Sequence, residues 1–139
     1  MRHLRTGVDA SGRSCVLEEA DLGAVGADPA LVDIYSTNDA PPGPRPHGNG
    51  SFLDLGVAPG CTRWTVVHWP AGTSYGMHHT ETIDYDIVLA GSVELTLGDG
   101  VHPLEAGDCV VIAGIDHAWR AGPQGASMSV TLLGSTPPG

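Results

Sequence analysis

Glycine and proline interrupt this chain at short intervals over its whole length, and no long helical pattern of apolar residues runs between them. The 139 residues include 20 glycines and 11 prolines, which do not recur at a fixed period. This spacing suits many short strands joined by turns. The sequence therefore predicts an all-β domain.

Alternating apolar residues mark the individual strands. Strands are predicted on both sides of Asp9–Gly12 and at Leu31–Tyr35, Trp64–Trp69, Val93–Leu97, Val101–Leu104, Cys109–Ile112 and Met128–Leu132. Residues Glu18–Val25 are expected to form at most one or two helical turns. The proline-rich stretch Asn38–Gly50 is predicted to be a loop that covers or edges a pocket. Because closure removes exposed sheet edges, we expect a barrel or a jelly roll.

Composition excludes several classes of function. The formal net charge is −10, which argues against nucleic acid as a partner because phosphate binding needs clustered basic residues. The chain contains no lysine, so an internal Schiff base is excluded. The cysteines Cys15, Cys61 and Cys109 are far apart and are interpreted as reduced thiols.

Length and hydropathy predict one domain over residues 1–139, with N-terminal strands and a loop in 1–60 and a barrel core in 61–135. No apolar run is long enough to cross a membrane as a helix. The N-terminus has no apolar segment of the secretory type, so we expect a cytoplasmic protein.

The richest cluster of polar residues is His78–Leu89. If this segment is one strand, His78, Thr80, Asp84 and Asp86 share a face with Thr82, and apolar residues dominate the other face. The simplest interpretation puts that polar face in water. A later segment, Gly114 to Arg120, places His117 just after a turn and offers a second polar landmark.

Two spaced motifs in this region resemble those of the cupins. Gly72 is followed after five residues by His78, and Asp84 after six residues by Gly91. Gly107-Asp108 then opens a second motif that ends in His117. The pattern is similar to a subgroup of small single-domain cupins with His-x-Thr-x-Thr-Ile-Asp-Tyr and Gly-x-x-His-Ala-Trp signatures. The resemblance implies a cupin-type jelly-roll β-barrel with an N-terminal strand extension.

The resemblance also implies a metal site inside the barrel. Its ligands would be His78, Asp84 and His117, with Thr80 in place of the usual second histidine. Two imidazoles and one carboxylate are a ligand set for iron or zinc, and manganese or nickel are alternatives. Asp86 competes as a ligand or acts as a general base, and Thr80 either donates a hydrogen bond to the substrate or packs in the wall.

Further residues are candidates for the substrate pocket. His68, Trp119 and Arg120 are assigned to it, although packing and surface ion pairs are alternatives for them. Arg63, like Arg120, could bind an anionic substrate, with a surface ion pair as the simpler interpretation. The cupin resemblance also implies that the apolar stripe of Ile83, Tyr85, Ile87 and Leu89 faces outward and needs a cover, either the N-terminal strands or a second subunit. A homodimer is therefore expected.

Three functions follow from this site. The first is a metal-dependent lyase or isomerase that acts on a small oxygenated molecule, by dehydration, decarboxylation or cyclisation, as in polyketide-like or other secondary metabolism. The second is a non-heme Fe(II) dioxygenase that uses the same ligands. The third is a cupin that binds a ligand without catalysis. Fold resemblance alone does not choose among them.

Overall fold

Nine strands and no helix occur among the described residues, which confirms the all-β prediction. The computed structural model describes residues 1–23, 26–46 and 48–138. The strands are β1 Arg2–Val8, β2 Ser14–Asp21, β3 Ser51–Phe52, β4 Thr62–Trp69, β5 Ser74–His79, β6 Thr82–Leu97, β7 Gly100–Glu105, β8 Cys109–Ala113 and β9 His117–Gly134. None of the described residues belongs to a helix that could span a membrane.

Two long strands, β6 and β9, pair with each other along almost their whole length and organise the remaining strands. The first half of β6 and the second half of β9 belong to the front sheet, whose strand order is β2-β1-β8-β6-β9-β4. The other halves of β6 and β9 belong to the back sheet, whose order is β7-β6-β9-β5-β3. This sharing of two bent strands between facing sheets is the jelly-roll barrel that the sequence predicts.

The bend depends on two glycines. Pairing of β6 with β9 shifts register on either side of Ala90–Gly91. Gly91 has a φ of 72° and Gly125 a φ of 75°, a left-handed conformation that favours glycine. A Cβ atom on Gly91 would lie 2.0 Å from the carbonyl oxygen of Gly125. The two strands can therefore cross at this corner only if side chains are absent.

Apolar residues from both sheets meet in one core. Val88, Val110 and Met128 of the front sheet pack in the same cluster as Leu95 and Leu104 of the back sheet. The two inner faces therefore oppose each other, and burial of these side chains supplies much of the free energy of folding. The barrel is hollow beyond this core, where Trp119 and Met128 of the core also line a cavity.

The N-terminal strands extend the front sheet, as expected. β1 lies parallel to β8, and β2 pairs with β1 at the sheet edge. The carboxylate of Asp108 accepts hydrogen bonds from the backbone N–H groups of Glu105 and Arg2 at 2.9 and 3.2 Å. The Gly107-Asp108 motif therefore has a structural role, because it shapes the turn before β8 and ties β1 to it.

Three local predictions are wrong. Leu31–Tyr35 does not pair with another strand; instead Tyr35 packs on Tyr85, with ring centroids 6.0 Å apart. Glu18 and Glu19 are not helical, because they lie in β2 and form ion pairs with Arg5 and Arg2 of β1 across the strand pair. Residues 24 and 25 of the predicted helical segment lie outside the described residues. The supposed single strand over His78–Leu89 is divided by a turn at residues 80 and 81.

The outward apolar stripe of β6 is covered in part. Ile83 is fully buried and Tyr85 is half-buried beneath Tyr35, whereas Ile87 and Leu89 remain 42% and 53% exposed. Trp64 and Val66 on the outer face of β4 are also exposed. The homodimer stays a prediction.

We expect Gly91→Ala to destabilise the fold by more than a positive φ alone requires. Forcing alanine into a left-handed conformation costs about 1–2 kcal/mol, and contact with the Gly125 carbonyl adds to this. Gly12→Ala is the matched control, because Gly12 has a φ of 78° and nothing lies within 4 Å of its Cβ position. Urea unfolding should show the larger loss for Gly91→Ala. Equal losses would contradict the proposed corner.

Candidate active site

The hollow end of the barrel contains a cavity of about 330 Å³ between the front and back sheets. Its volume is within the range of small-molecule binding sites. Most of the surface area of its wall is apolar. The apolar residues of the wall are Leu53, Leu55, Val67, Trp69, Trp119, Met128, Val130 and Leu132. The polar members of the wall are Arg63, Thr65, Tyr75, His78, Thr80, Asp84, Asp86 and His117.

Two histidines from neighbouring strands of the back sheet lie side by side in the wall. His78 near the end of β5 is the register partner of His117 at the start of β9, and their ring centroids are 4.1 Å apart. Each Nδ1 atom lies 2.8 Å from the carbonyl oxygen two residues earlier, Gly76 for His78 and Ile115 for His117. A carbonyl can only accept, so Nδ1 carries the proton on both rings and Nε2 keeps its lone pair.

Burial keeps both imidazoles neutral. The pKa of His117 is lowered to about 3, first by burial and then by the neighbouring His78. Burial also lowers the pKa of His78. Tyr75 packs edge-on against the ring of His78 at a centroid distance of 4.7 Å. The outcome is a pair of neutral, oriented rings, which is the state in which histidine binds a metal.

Two carboxyl groups lie on the front sheet, on the inner face of β6. Asp84 and Asp86 are both buried, and burial raises the pKa of Asp84 to about 7. Burial, with the nearby Asp84, raises the pKa of Asp86 well above its ordinary value. Among the described residues, Asp86 Oδ1 has no hydrogen-bond partner. These groups therefore hold a proton at a pH where exposed aspartates are ionised.

Two threonines connect Asp84 to the turn between β5 and β6. The Thr82 hydroxyl donates to Asp84 Oδ1 at 2.5 Å, and Thr82 Oγ1 lies 3.0 Å from Thr80 Oγ1. Thr80 is buried and belongs to the cavity wall. This chain of hydroxyl groups fixes the Asp84 carboxyl and places Thr80 where a bound molecule can reach it.

The donors fit a divalent cation in part. The two Nε2 lone pairs are free and adjacent, and a cation would relieve the cost of burying the two carboxyl groups. Within the parts of the chain that the structure describes, however, no three His, Cys, Asp or Glu side chains converge closely enough to hold a metal ion. The imidazole pair is therefore the preformed part of the predicted site, whereas Asp84 is hydrogen-bonded to Thr82 and does not complete a three-residue cluster with the rings.

The predicted pocket residues divide into one inside and two outside. Trp119 lines the cavity, but His68 and Arg120 do not. Side chains alternate along a strand, so His68 shares the outer face of β4 with Trp64 and Val66. Its Nδ1 atom lies 2.9 Å from Ser127 Oγ on the outer face of β9. Arg120 follows the inward Trp119 and is exposed.

The proline-rich loop borders the barrel without lining the cavity. Asp116, next to His117, accepts hydrogen bonds from the backbone N–H groups of Asn49 and Gly50 at 2.7 and 2.9 Å. His79 also faces this loop, 3.7 Å from Asp116. Residue 47 of the loop lies outside the described residues. The wall is instead completed by Leu53 and Leu55, which follow the loop.

The sequence suggests Arg63 as an anion-binding residue, with a surface ion pair as the simpler interpretation, but it did not place Arg63, Tyr75, Leu53 or Leu55 in the cavity wall. For Arg63 a signal was present: it alternates with Thr65, Val67 and Trp69 on one face of β4. Periodicity shows that these residues share a face, but not which face is inside. Leu53 and Leu55 lie beyond β3, where they alternate with Asp54 and Gly56, so a short period-2 signal was present for them too.

The pKa of Asp84 predicts a stability that falls as pH rises. Its folded pKa of about 7 exceeds the ordinary value of 3.8, so the folded state binds more protons between these limits. Asp84→Asn should therefore gain stability over the wild type as pH rises from 4 to 7, by up to ~1.4 kcal/mol per pH unit. Urea unfolding in chelating buffer measures this, with the exposed Asp39→Asn as control. A constant difference between Asp84→Asn and wild type would contradict the buried, protonated carboxyl.

Comparison with known proteins gives two relatives by sequence. No model of a known protein family matches the chain. The phomopsin biosynthesis cluster proteins C′ and D of Diaporthe leptostromiformis are each 46% identical to it over 52 residues. That segment is 37% of this chain and 27% of each relative, so the chain spans about a quarter of the length of the curated relatives that it matches.

Solved structures to which the chain is similar include cupin domains. The cupin domain of Cnp3 from Schizosaccharomyces pombe is 17% identical, with a TM-score of 0.49 over 52% of each chain. A Rhizobium leguminosarum protein of unknown function is 17% identical, with a TM-score of 0.50 over 54% of this chain and 72% of its own. A cupin-2 domain protein from Shewanella frigidimarina is 21% identical, with a TM-score of 0.45 over 50% of this chain and 68% of its own. At these identities the likeness concerns the fold alone.

Proposed function

We propose that this protein is a small cupin enzyme of the lyase or isomerase type, which depends on a divalent metal and acts on a small oxygenated organic molecule. The observation that carries the proposal is the pair of neutral imidazoles, His78 and His117, whose Nδ1–H groups are held by backbone carbonyls. Such anchoring orients a metal ligand and raises its basicity. Zinc or iron would suit this pair together with Asp84.

A bound ion would supply Lewis acidity, which polarises a carbonyl or stabilises an enolate oxygen. The chain itself contributes the remaining functions. Asp86 holds a proton at the cavity wall and can exchange it with a bound molecule. Thr80 offers a hydroxyl to the same molecule, and the apolar wall limits water around it.

The two carboxyl groups favour a lyase or isomerase over an oxygenase. Dehydration, isomerisation and cyclisation move protons between carbon and oxygen, which requires groups that hold and release protons near neutral pH. With Asp84 as a ligand, the raised pKa of Asp86 meets that requirement. A role in secondary metabolism is further supported by the names of two relatives, which assign them to phomopsin biosynthesis.

Metal content tests the ligand assignment. We expect the purified protein to hold about one divalent ion per chain, and His117→Ala or His78→Ala to lower its affinity at least tenfold, because each removes one of few ligands. His68→Ala is the control, since His68 is an exposed histidine on the outer face of β4. Elemental analysis and competition with a chelator give the stoichiometry and the affinity.

The proposal fails if the wild-type protein binds no stoichiometric metal, or if His117→Ala binds it as well as His68→Ala does. Asp86→Asn separates ligation from proton transfer. Because Asp86 is assigned to proton exchange, this variant should retain the ion and lose turnover once a substrate is found. Loss of the ion would make Asp86 a ligand instead.

A further inference from the structure

Arg63 is the one basic residue other than histidine among the described residues that line the cavity. It lies at the start of β4, on the same face as Thr65, Val67 and Trp69, and is itself exposed. The guanidinium therefore belongs to the mouth of the cavity, where it is in contact with water and also with whatever enters.

No hydrogen bond or ion pair joins Arg63 to another described residue. The same holds for Arg45 and Arg120, but neither of these lines the cavity. Acidic residues outnumber lysine and arginine by 16 to 6. Arg2, Arg5 and Arg13 each pair with a carboxylate. Arg63 is left without such a partner although carboxylates are plentiful, so its charge is available to a ligand.

The strand register places Arg63 across the cavity wall from the carboxyl groups. Arg63 is opposite Leu132 of β9, and Leu132 is opposite Asp84 of β6. Two strand spacings separate Arg63 from Asp84, about 10 Å. Leu132 lies beside Arg63 on the neighbouring strand, and the cavity wall also includes Leu53 and Leu55. The cavity thus presents one arginine at its mouth, a largely apolar wall, and the carboxyl groups of Asp84 and Asp86 farther along.

We propose that Arg63 anchors the carboxylate of a small apolar acid, whose body fills the cavity toward the imidazole pair and Asp86. This assignment rests on the proposed function, because it names the class of substrate that the same cavity would take. A carboxylate matches the planar fork of a guanidinium through two parallel hydrogen bonds.

A carboxylic acid fits better than a phosphate ester. A phosphate at neutral pH carries up to two charges and is usually held by several donors, such as clustered arginines or a series of backbone N–H groups. Among the described residues of the cavity wall, Arg63 has no second lysine or arginine beside it, and leucines are frequent there. An apolar acid with a single charged carboxylate therefore loses less hydration free energy on entering this cavity than a phosphate ester would.

Binding of matched acid and amide probes tests the proposal without a known substrate. Benzoate, cinnamate and 4-phenylbutanoate are titrated into the full chain by calorimetry, each beside its uncharged amide, with and without added zinc. We expect at least one acid to bind about tenfold more tightly than its amide, since the difference is one charge-assisted hydrogen-bonded pair. Arg63→Gln should abolish that preference and Arg63→Lys should retain part of it.

Arg120→Gln is the matched control, because it removes an exposed arginine from the outer side of β9 and should leave the preference unchanged. The proposal is overturned if no acid in the series binds, if acid and amide bind equally, or if Arg63→Gln keeps the preference. Zinc affinity of the same variants distinguishes this result from failure of the proposed function. Arg63→Gln should bind zinc as the wild type does, whereas His78→Ala and His117→Ala should lose zinc binding.

Discussion

The continuous pairing of β6 with β9 is the constraint on which the rest of the structure depends. These two strands alone belong to both sheets, and each must change sheets at the corner formed by Gly91 and Gly125. Once the corner is made, the inner faces of their halves oppose each other. The apolar core then forms between the two sheets, and the cavity with its histidines and aspartates adjoins it.

The cavity end carries a cost that the core does not. His78, His117, Asp84 and Asp86 are all buried, and burial alone shifts each pKa toward the neutral form. A chain that needed only stability would place apolar residues at these positions, because buried polar groups repay their desolvation poorly. Four such groups in one cavity are what a binding or catalytic site requires.

The barrel could be predicted from the sequence, because its causes are local. Alternation in Trp64–Trp69 and Val93–Leu97 and the spacing of glycines each specify a strand or a turn without knowledge of the partner. The direction in which the polar face of β6 points could not be predicted in this way. Alternation is equally compatible with a polar face in water, and the inward direction of Asp84 and Asp86 came only from the cupin resemblance.

Other features could not be predicted from the sequence because they depend on contacts between residues that are distant along the chain. Glu18 and Glu19 have good helix propensity, but in the structure they form ion pairs with Arg5 and Arg2 of the neighbouring strand, and these contacts form only when both segments are strands of the sheet. The sequence allows Arg63 either to bind an anion or to form a surface ion pair, and the structure shows no ion-pair partner for it among the described residues. His68 and Arg120 are predicted in the pocket, but the alternation of side chains puts both outside the cavity wall.

Histidine NMR tests the central claim most directly, that the cavity holds two neutral imidazoles with free Nε2 atoms ready for a metal. Long-range proton–nitrogen spectra report the tautomer and charge of each ring. The structure predicts the Nδ1–H tautomer for His78 and His117 at pH 7, a neutral His117 still at pH 5, and a shift of both Nε2 signals when zinc is added. An Nε2–H tautomer, a charged His117 at pH 6, or Nε2 chemical shifts that do not change when zinc is added would contradict the claim.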